Sequence, residues 1–287
     1  MEILDNELVC SIHLYMRAKI LSFTATSITA ILLSGCSKLK APLSSTLTMT
    51  VVENGEKISS EITGDQITSL PKATKMLSFE ANGEEKETTI VYLKDALDKL
   101  QPVGENDLLL TNCSDNYQSI FTQEVIESAR PYFVLEVEGQ ALNGWLTSIE
   151  HPEWGPHIIN IENPEGLLDP SHKNPWGLVE LVVVKKEDAL AGWADHDMGE
   201  PAQRGLNLYL DSCASCHHTG NGILGGKKST RPLKLLSIFA VSNEAYFRGM
   251  LKDPQKTNPL AQTMPSYAHW SEENVKDLIE FLKSTVK

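Results

Sequence analysis

The sequence has little positive charge. Its 25 lysine and arginine residues are outnumbered by 38 aspartate and glutamate residues, which gives a formal net charge of -13. Proteins that bind a phosphate backbone commonly carry basic arms and aromatic platforms for the bases, and the sequence has neither of these features. The composition therefore predicts that nucleic acid is not a partner.

Cysteine is also scarce and irregularly placed. The five cysteines are Cys10, Cys36, Cys113, Cys213 and Cys216. An odd total without framework spacing excludes a disulfide-stapled scaffold, so each cysteine requires its own explanation.

The apolar stretch near the amino terminus, Ile20 to Leu33, is about fourteen residues long, whereas a spanning helix needs about 20. Arg17 and Lys19 precede it, which is typical of a signal peptide. Because residues 1–15 are acidic and would oppose that role, we expect translation to start at Met16. The sequence thus predicts a signal peptide over residues 1–35.

The apolar stretch ends in Leu33-Ser34-Gly35-Cys36, which resembles the bacterial lipobox. That resemblance implies lipidation of Cys36, a tether over residues 36–45 and a periplasmic protein anchored to a membrane by lipid. Ser37 after the cysteine favours the outer membrane slightly over the inner one. The alternative for Cys36 is a simple buried or membrane-embedded thiol.

The remaining chain divides into two parts of different charge. Residues 41–196 carry 26 acidic and 10 basic side chains, net -16, whereas residues 197–287 carry 9 acidic and 11 basic side chains, net +2. A length of 287 residues with 41% hydrophobic content suits two modest domains. We place them at residues 46–190 and 200–287, with a linker over 191–199.

The strongest chemical signal is Cys213-Ala214-Ser215-Cys216-His217. Two thiols at this spacing can each bond to one vinyl group of a haem, and the adjacent imidazole is then held beneath the iron. The alternatives are a redox CxxC pair and half of a zinc site. A redox pair needs a preceding strand, but Pro201 to Ser212 predicts a helix, and a zinc site needs a second ligand pair that no later cysteine provides. We therefore predict one covalent haem c.

This segment resembles the monohaem cytochrome c family over roughly residues 200–287. The resemblance implies an all-α domain in which a first helix, close to a last helix at Gly205 and Tyr209, leads into the haem motif. A middle helix is predicted over Ser242 to Leu251, and Ser271 is predicted to cap the last helix.

The resemblance also implies a methionine as the second axial ligand, which we assign to Met264 in Thr263-Met264-Pro265. Met250 is the better candidate for a core methionine, since it lies within a helical pattern. His218 and His269 are competing ligands. His/Met ligation raises the reduction potential and leaves no open coordination position, so the domain is expected to transfer electrons.

A basic cluster follows the haem motif and consists of Lys227, Lys228, Arg231 and Lys234. Such a cluster is commonly a solvated face. Beside a redox centre it can also steer a redox protein partner by charge complementarity, including the acidic residues 41–196 of the same chain.

The middle domain shows an α+β pattern with more strand than helix. The predicted strands are Leu47 to Val52, Thr88 to Leu93, Leu108 to Thr111, Tyr132 to Val137 and Leu178 to Val184, and the predicted helices are Leu93 to Leu100 and Gln123 to Ala129.

The order of these elements, with Cys113 after a strand and Trp154-Gly155-Pro156-His157 further on, resembles the oxidoreductase molybdopterin-binding (sulfite-oxidase-like) fold. That resemblance implies that Cys113 binds molybdenum. Basic residues for the pterin pyrophosphate are scarce, however, and Arg130 is the region's one arginine. A buried free cysteine is favoured over a metal ligand.

Four histidines offer a second alternative, a mononuclear metal site, although loop histidines making polar contacts fit their irregular spacing better. They are His151, His157, His172 and His196. Taken together, the sequence favours a membrane-anchored electron carrier. An enzyme whose metal centre in residues 46–190 passes electrons to the haem is the alternative, with a molybdenum cofactor possible but not favoured.

Overall fold

The computed structural model describes residues 46–79, 83–169, 172, 174–191, 198–220 and 222–286. They form one compact unit. The predicted signal peptide, Cys36, the tether and His196 lie outside the described residues. Within the described ranges, no helix has both the length and the apolar character needed to cross a membrane.

The described residues from 46 to 191, here called the strand-rich region, form a mixed sheet with short helices between its strands. The strands are β1 (Leu47–Glu53), β2 (Glu56–Ile62), β3 (Ala73–Ser78), β4 (Glu85–Tyr92), β5 (Asp107–Cys113), β6 (Gln118–Phe121), β7 (Pro131–Val137), β8 (Gln140–Ala141), β9 (His157–Ile161) and β10 (Trp176–Lys185). The helices are α1 (Gly64–Thr68), α2 (Leu93–Leu100), α3 (Gln123–Ser128), α4 (Leu142–Ser148) and α5 (Lys186–Ala189).

Strand β10 lies at the centre of the sheet. It pairs in parallel with β1, where Thr50 is opposite Val182, and antiparallel with β5, where Leu110 is opposite Val182. From β10 the sheet continues through β9 and β7 to β4 and β3, while β6 extends it beyond β5. The long central strand thus connects the β1, β5 and β9 branches of the sheet.

Both faces of the β5–β10 pair are buried. Side chains along a strand alternate between faces, so a continuous apolar run fills two cores. Leu109 and Val183 pack into a core within the strand-rich region, whereas Leu110 and Val182 pack into a core that also contains Leu206 of the carboxy-terminal helices. The sheet and the helices therefore share one hydrophobic core.

The described residues from 198 to 286, here called the helical region, contain helices joined by irregular loops. The helices are α6 (Glu200–Leu208), a π-helical turn (Tyr209–Cys213), α7 (Leu233–Ser242), α8 (Glu244–Lys252), α9 (Pro254–Thr257) and α10 (Glu272–Ser284). Asn243 caps α8 and Ser271 caps α10, because each side chain accepts a backbone N–H of the first turn.

Helices α6 and α10 cross at Gly205. A Cβ atom at this position would lie 2.0 Å from the carbonyl oxygen of Asp277, a distance that no side chain tolerates. Beside the crossing, Arg204 donates two hydrogen bonds to the Asp277 carboxylate, at 2.6 and 3.0 Å. The rings of Tyr209 and Phe281 pack with their centroids 5.4 Å apart. Glycine is thus required by the close approach of the two backbones.

The predicted fold class, a strand-rich α+β region followed by an all-α region, is confirmed. The five predicted strands and two predicted helices of the middle region are present with small shifts at their ends. The first carboxy-terminal helix ends in a π-helical turn that periodicity did not predict. Helix α7 was also missed, because its hydrophobic residues do not form a clear one-sided stripe.

Candidate haem site

A cavity of about 340 Å³ lies in the helical region, and the predicted haem residues line it together. Cys213, Cys216, His217 and Met264 all contribute to its wall. Much of the remaining wall is apolar and includes Leu236, Phe247, Leu251, Leu278 and Leu282. A nonpolar cavity with two thiols, an imidazole and a thioether fits a flat macrocycle that carries an iron ion.

The π-helical turn presents the cysteines and the histidine to this cavity. The backbone N–H of Ala214 bonds to the carbonyl of Tyr209 at 2.8 Å, which is the i to i+5 spacing of a π-turn, and such turns are frequent at functional sites. The Tyr209 hydroxyl donates to the His217 carbonyl at 2.6 Å. Burial raises the pKa of the Cys213 thiol to about 12, with the Cys216 thiol as the next cause.

The ring of His217 is held in one orientation. Its Nδ1 lies 2.7 Å from the carbonyl oxygen of Arg231, so Nδ1 carries the hydrogen and Nε2 is left with a free lone pair. Burial lowers the pKa of His217, which favours the neutral, metal-binding form of the imidazole. Histidines that bind metals generally have their other ring nitrogen anchored in this way.

Met264 and its competitors occupy different surroundings. Met264 lines the cavity and packs against the shared core, and its backbone N–H bonds to Ala261. Neither His218 nor His269 belongs to the described wall of the cavity. His218 Nδ1 accepts the Gly220 backbone N–H, and His269 lies 3.0 Å from the Asp169 carboxylate. Met250 is buried, as predicted for a core methionine.

Two wall residues come from the strand-rich region and were not assigned to the haem from the sequence. Tyr117 precedes β6, and His172 lies between β9 and β10. Both are more than forty residues away from the haem motif in sequence, so no local spacing could have identified them. The cavity is therefore completed by both parts of the chain.

Gln118, at the start of β6, forms hydrogen bonds that link the strand-rich region to the haem motif and to the loop that follows it. Its backbone N–H donates to Ser215, and its side-chain Oε1 accepts the Gly225 backbone N–H at 2.7 Å. Its Nε2 donates to Asn112 at 2.7 Å and to the Ile223 carbonyl at 3.2 Å. Since Gln118 is only 4% exposed, these hydrogen bonds replace water for every polar group of its side chain.

A second set of polar contacts lies beside His172. The Asp169 carboxylate accepts the indole N–H of Trp270 at 2.6 Å, and the Asp169 backbone N–H donates to Asp211. Between the same two regions, Lys228 of the predicted basic cluster forms an ion pair with Asp115. The pair joins a basic side chain of the helical region to an acidic one of the strand-rich region.

Cys113 lies at the end of β5, apart from the cavity wall. It is 6% exposed, and burial raises the pKa of its thiol to about 12, with Asp115 as the next cause. Gly177, at φ +72°, packs between the adjacent Ser114 and the carbonyls of Glu153 and Gly155. The two segments that carry the molybdopterin-binding resemblance therefore meet beside Gly177, at the carboxyl end of β5.

The other metal hypothesis concerned four histidines. His151 stacks on Trp154 with ring centroids 4.0 Å apart, His157 is buried in β9, and His172 lines the haem cavity. Among the residues that the structure describes, no group of three or more His, Cys, Asp or Glu side chains is placed to hold a metal ion.

Comparison with known proteins assigns the helical region to a family. A family model described as cytochrome c matches residues 202–286. No curated protein matches the chain. The matched segment contains Cys213, Cys216, His217 and Met264. Residues 202–286 are a cytochrome c domain, and the chain is a haem-binding electron-transfer protein.

Proposed function

We propose that this protein is a membrane-anchored, extracytoplasmic cytochrome that transfers single electrons through one haem. The haem is bound covalently to Cys213 and Cys216, with His217 and Met264 as its axial ligands. When bound, the haem supplies a one-electron change at its iron. The protein holds the haem in position, limits water around it and determines from which side a partner approaches.

The observation that carries the proposal is the arrangement around His217. Its Nδ1 is anchored to Arg231, so its Nε2 is available in the same cavity as both cysteines and Met264. Four groups suited to attach and ligate haem thus share one largely apolar space. Sulfur and imidazole nitrogen together favour the reduced iron more than two imidazoles do, which suits an electron acceptor.

Two features of the sequence support an extracytoplasmic location. The lipobox-like segment ending at Cys36 and the haem motif point independently to a protein exported from the bacterial cytoplasm. A lipid anchor at Cys36, in the outer or the inner membrane, would keep the haem at a membrane surface. Labelling with a radioactive fatty acid tests the anchor, since Cys36→Ala should abolish incorporation and Cys10→Ala should leave it unchanged.

The haem proposal is tested by producing the full chain in a bacterium that attaches haem c. Haem should stay on the polypeptide in a denaturing gel, with one iron per chain. Met264→Leu should abolish the sulfur-to-iron absorption band of the ferric protein, whereas the buried control Met250→Leu should retain it. Protein without covalent haem would refute the proposal.

A second function is supported by the position of Cys113. The β5 end that carries it meets the Glu153–Gly155 segment at Gly177 and continues directly into Tyr117, which lines the haem cavity. An oxidoreductase with a metal centre at Cys113 would therefore have the haem close by as its electron acceptor. Metal analysis separates the two functions: molybdenum near one per chain would support the enzyme, and iron alone supports the carrier.

A further inference from the structure

The imidazole of His172 has a buried nitrogen without a partner. Its side chain is 3% exposed, and among the described residues Nε2 has no hydrogen-bond partner. The residue lies in the wall of the haem cavity. A buried polar nitrogen on a residue that lines a cavity can gain its missing partner from a group bound there.

The other nitrogen of the same ring determines what that partner can be. His172 Nδ1 lies 3.1 Å from the Asp211 carbonyl oxygen and 3.4 Å from an Asp211 carboxylate oxygen. Both neighbours accept hydrogen bonds, so Nδ1 carries the hydrogen, and Nε2 of the neutral ring has a free lone pair. A lone pair of this kind binds a hydrogen-bond donor or a metal ion.

His172 thus repeats the arrangement of His217. In each ring, Nδ1 is anchored to a backbone carbonyl, Arg231 in one case and Asp211 in the other, and Nε2 is left free. This anchoring fixes the tautomer and the ring plane, as it does in most metal-binding histidines. The Phe121 ring, with its centroid 6.0 Å from that of His172, packs against the same imidazole.

We propose that His172 is an alternative axial ligand of the haem iron, which takes the position opposite His217 whenever Met264 is not bound. The inference rests on the haem proposal above. It assigns a coordinating role to a residue outside the cytochrome c domain of residues 202–286. The strand-rich region would then control the coordination of the haem and, because two imidazoles give a lower potential than imidazole and sulfur, its reduction potential.

The test uses the full-length haem protein and four variants: Met264→Leu, His172→Gln, the double variant with both changes, and His151→Gln as a control. His151 lies outside the cavity, where it stacks on Trp154. The readouts are the spin state of the ferric haem by electron paramagnetic resonance, the reduction potential, and the rate at which the reduced haem binds carbon monoxide.

Met264→Leu should stay low-spin, with the spectrum of two imidazole ligands, a lowered potential and slow binding of carbon monoxide. The double variant should lose the low-spin spectrum and bind carbon monoxide quickly. His151→Gln should behave as the unchanged protein. If Met264→Leu is already high-spin and His172→Gln adds nothing to it, the proposal is wrong, and Nε2 instead faces a water molecule.

One further control and two further outcomes separate this result from other failures. His172→Phe keeps a ring against Phe121 but removes the nitrogen, so combining it with Met264→Leu should give the same high-spin haem if His172→Gln folds poorly. If His172→Gln alone abolishes the low-spin spectrum while Met264→Leu leaves it unchanged, His172 is the permanent ligand and the Met264 assignment fails. Absence of covalent haem from the unchanged protein would refute the proposed function itself.

Discussion

The strand-rich region and the helical region differ in how far apart in the sequence their cavity-lining residues lie. In the helical region the key residues lie within one pentapeptide and a loop 47 residues later, counted from His217 to Met264. In the strand-rich region Tyr117 and His172 lie 55 residues apart, by subtraction, and meet only at the haem cavity. Neither region encloses the cavity by itself.

The difference indicates that the helical region holds the redox centre and that the strand-rich region modifies its surroundings. The two are joined by the shared core on one face of β5 and β10, by the Gln118 hydrogen bonds and by ion pairs. We therefore expect the strand-rich region to influence the haem without carrying redox chemistry of its own. The following predictions test this division.

The largest expected effect concerns Cys113. Burial raises the pKa of its thiol from the ordinary value of 9.0 to about 12, so at neutral pH the reactive thiolate fraction falls about 1000-fold. We expect iodoacetamide to label Cys113 rapidly only after denaturation, as measured by peptide mass spectrometry. Rapid labelling of the native protein would show that the strand-rich region contains a reactive thiolate.

The next effect is at the crossing of α6 and α10. In Gly205→Ala the added methyl group would overlap the Asp277 carbonyl, which we expect to destabilise the protein by about 3 kcal/mol. Gly199→Ala is the matched control, since its Cβ would be 3.9 Å from Pro201. Guanidinium unfolding followed by haem absorbance measures both. Equal stability of the two variants would contradict the close helix contact.

A smaller loss is expected at Gln118. Gln118→Leu leaves the buried Gly225 N–H and the partly buried Ile223 carbonyl without their partner, which costs about 2 kcal/mol. It should also shift the reduction potential, because the Gly225 loop follows the haem motif. Gln123→Leu, at a partly exposed helix position outside the cavity wall, should change neither quantity. An unchanged potential in Gln118→Leu would mean that this contact only joins the two regions.

The smallest effect is expected for the ion pair of Lys228 and Asp115. Both side chains are partly exposed, at 38% and 47%, so the pair should contribute at most about 1 kcal/mol. A double-mutant cycle with Lys228→Met and Asp115→Asn measures it. The coupling should decrease as salt is raised, because salt screens exposed charges. A large, salt-independent coupling would contradict a surface pair.

Local patterns were sufficient to predict several features. The haem motif, the Ser271 cap and the strands around Leu109 and Val183 depend on neighbouring residues or on simple periodicity. The small residue at Gly205 was implied by the family resemblance. The π-helical turn depends on how α6 meets the core, and β2, β3, β6, β8 and β9 have weak or short patterns. Most of these strands pair with a neighbour close in the chain, so periodicity missed them because the patterns themselves are weak: β2 is exposed except at Ile62, and β8 has only two residues.

The sequence by itself determined that the chain carries a cytochrome c domain, because attaching haem requires two thiols and an imidazole at a fixed short spacing. Only the tertiary structure placed His172 and Tyr117 in the same cavity. Their positions depend on strand pairing and on the face of the sheet that packs against the helices, and neither follows from a local run of residues.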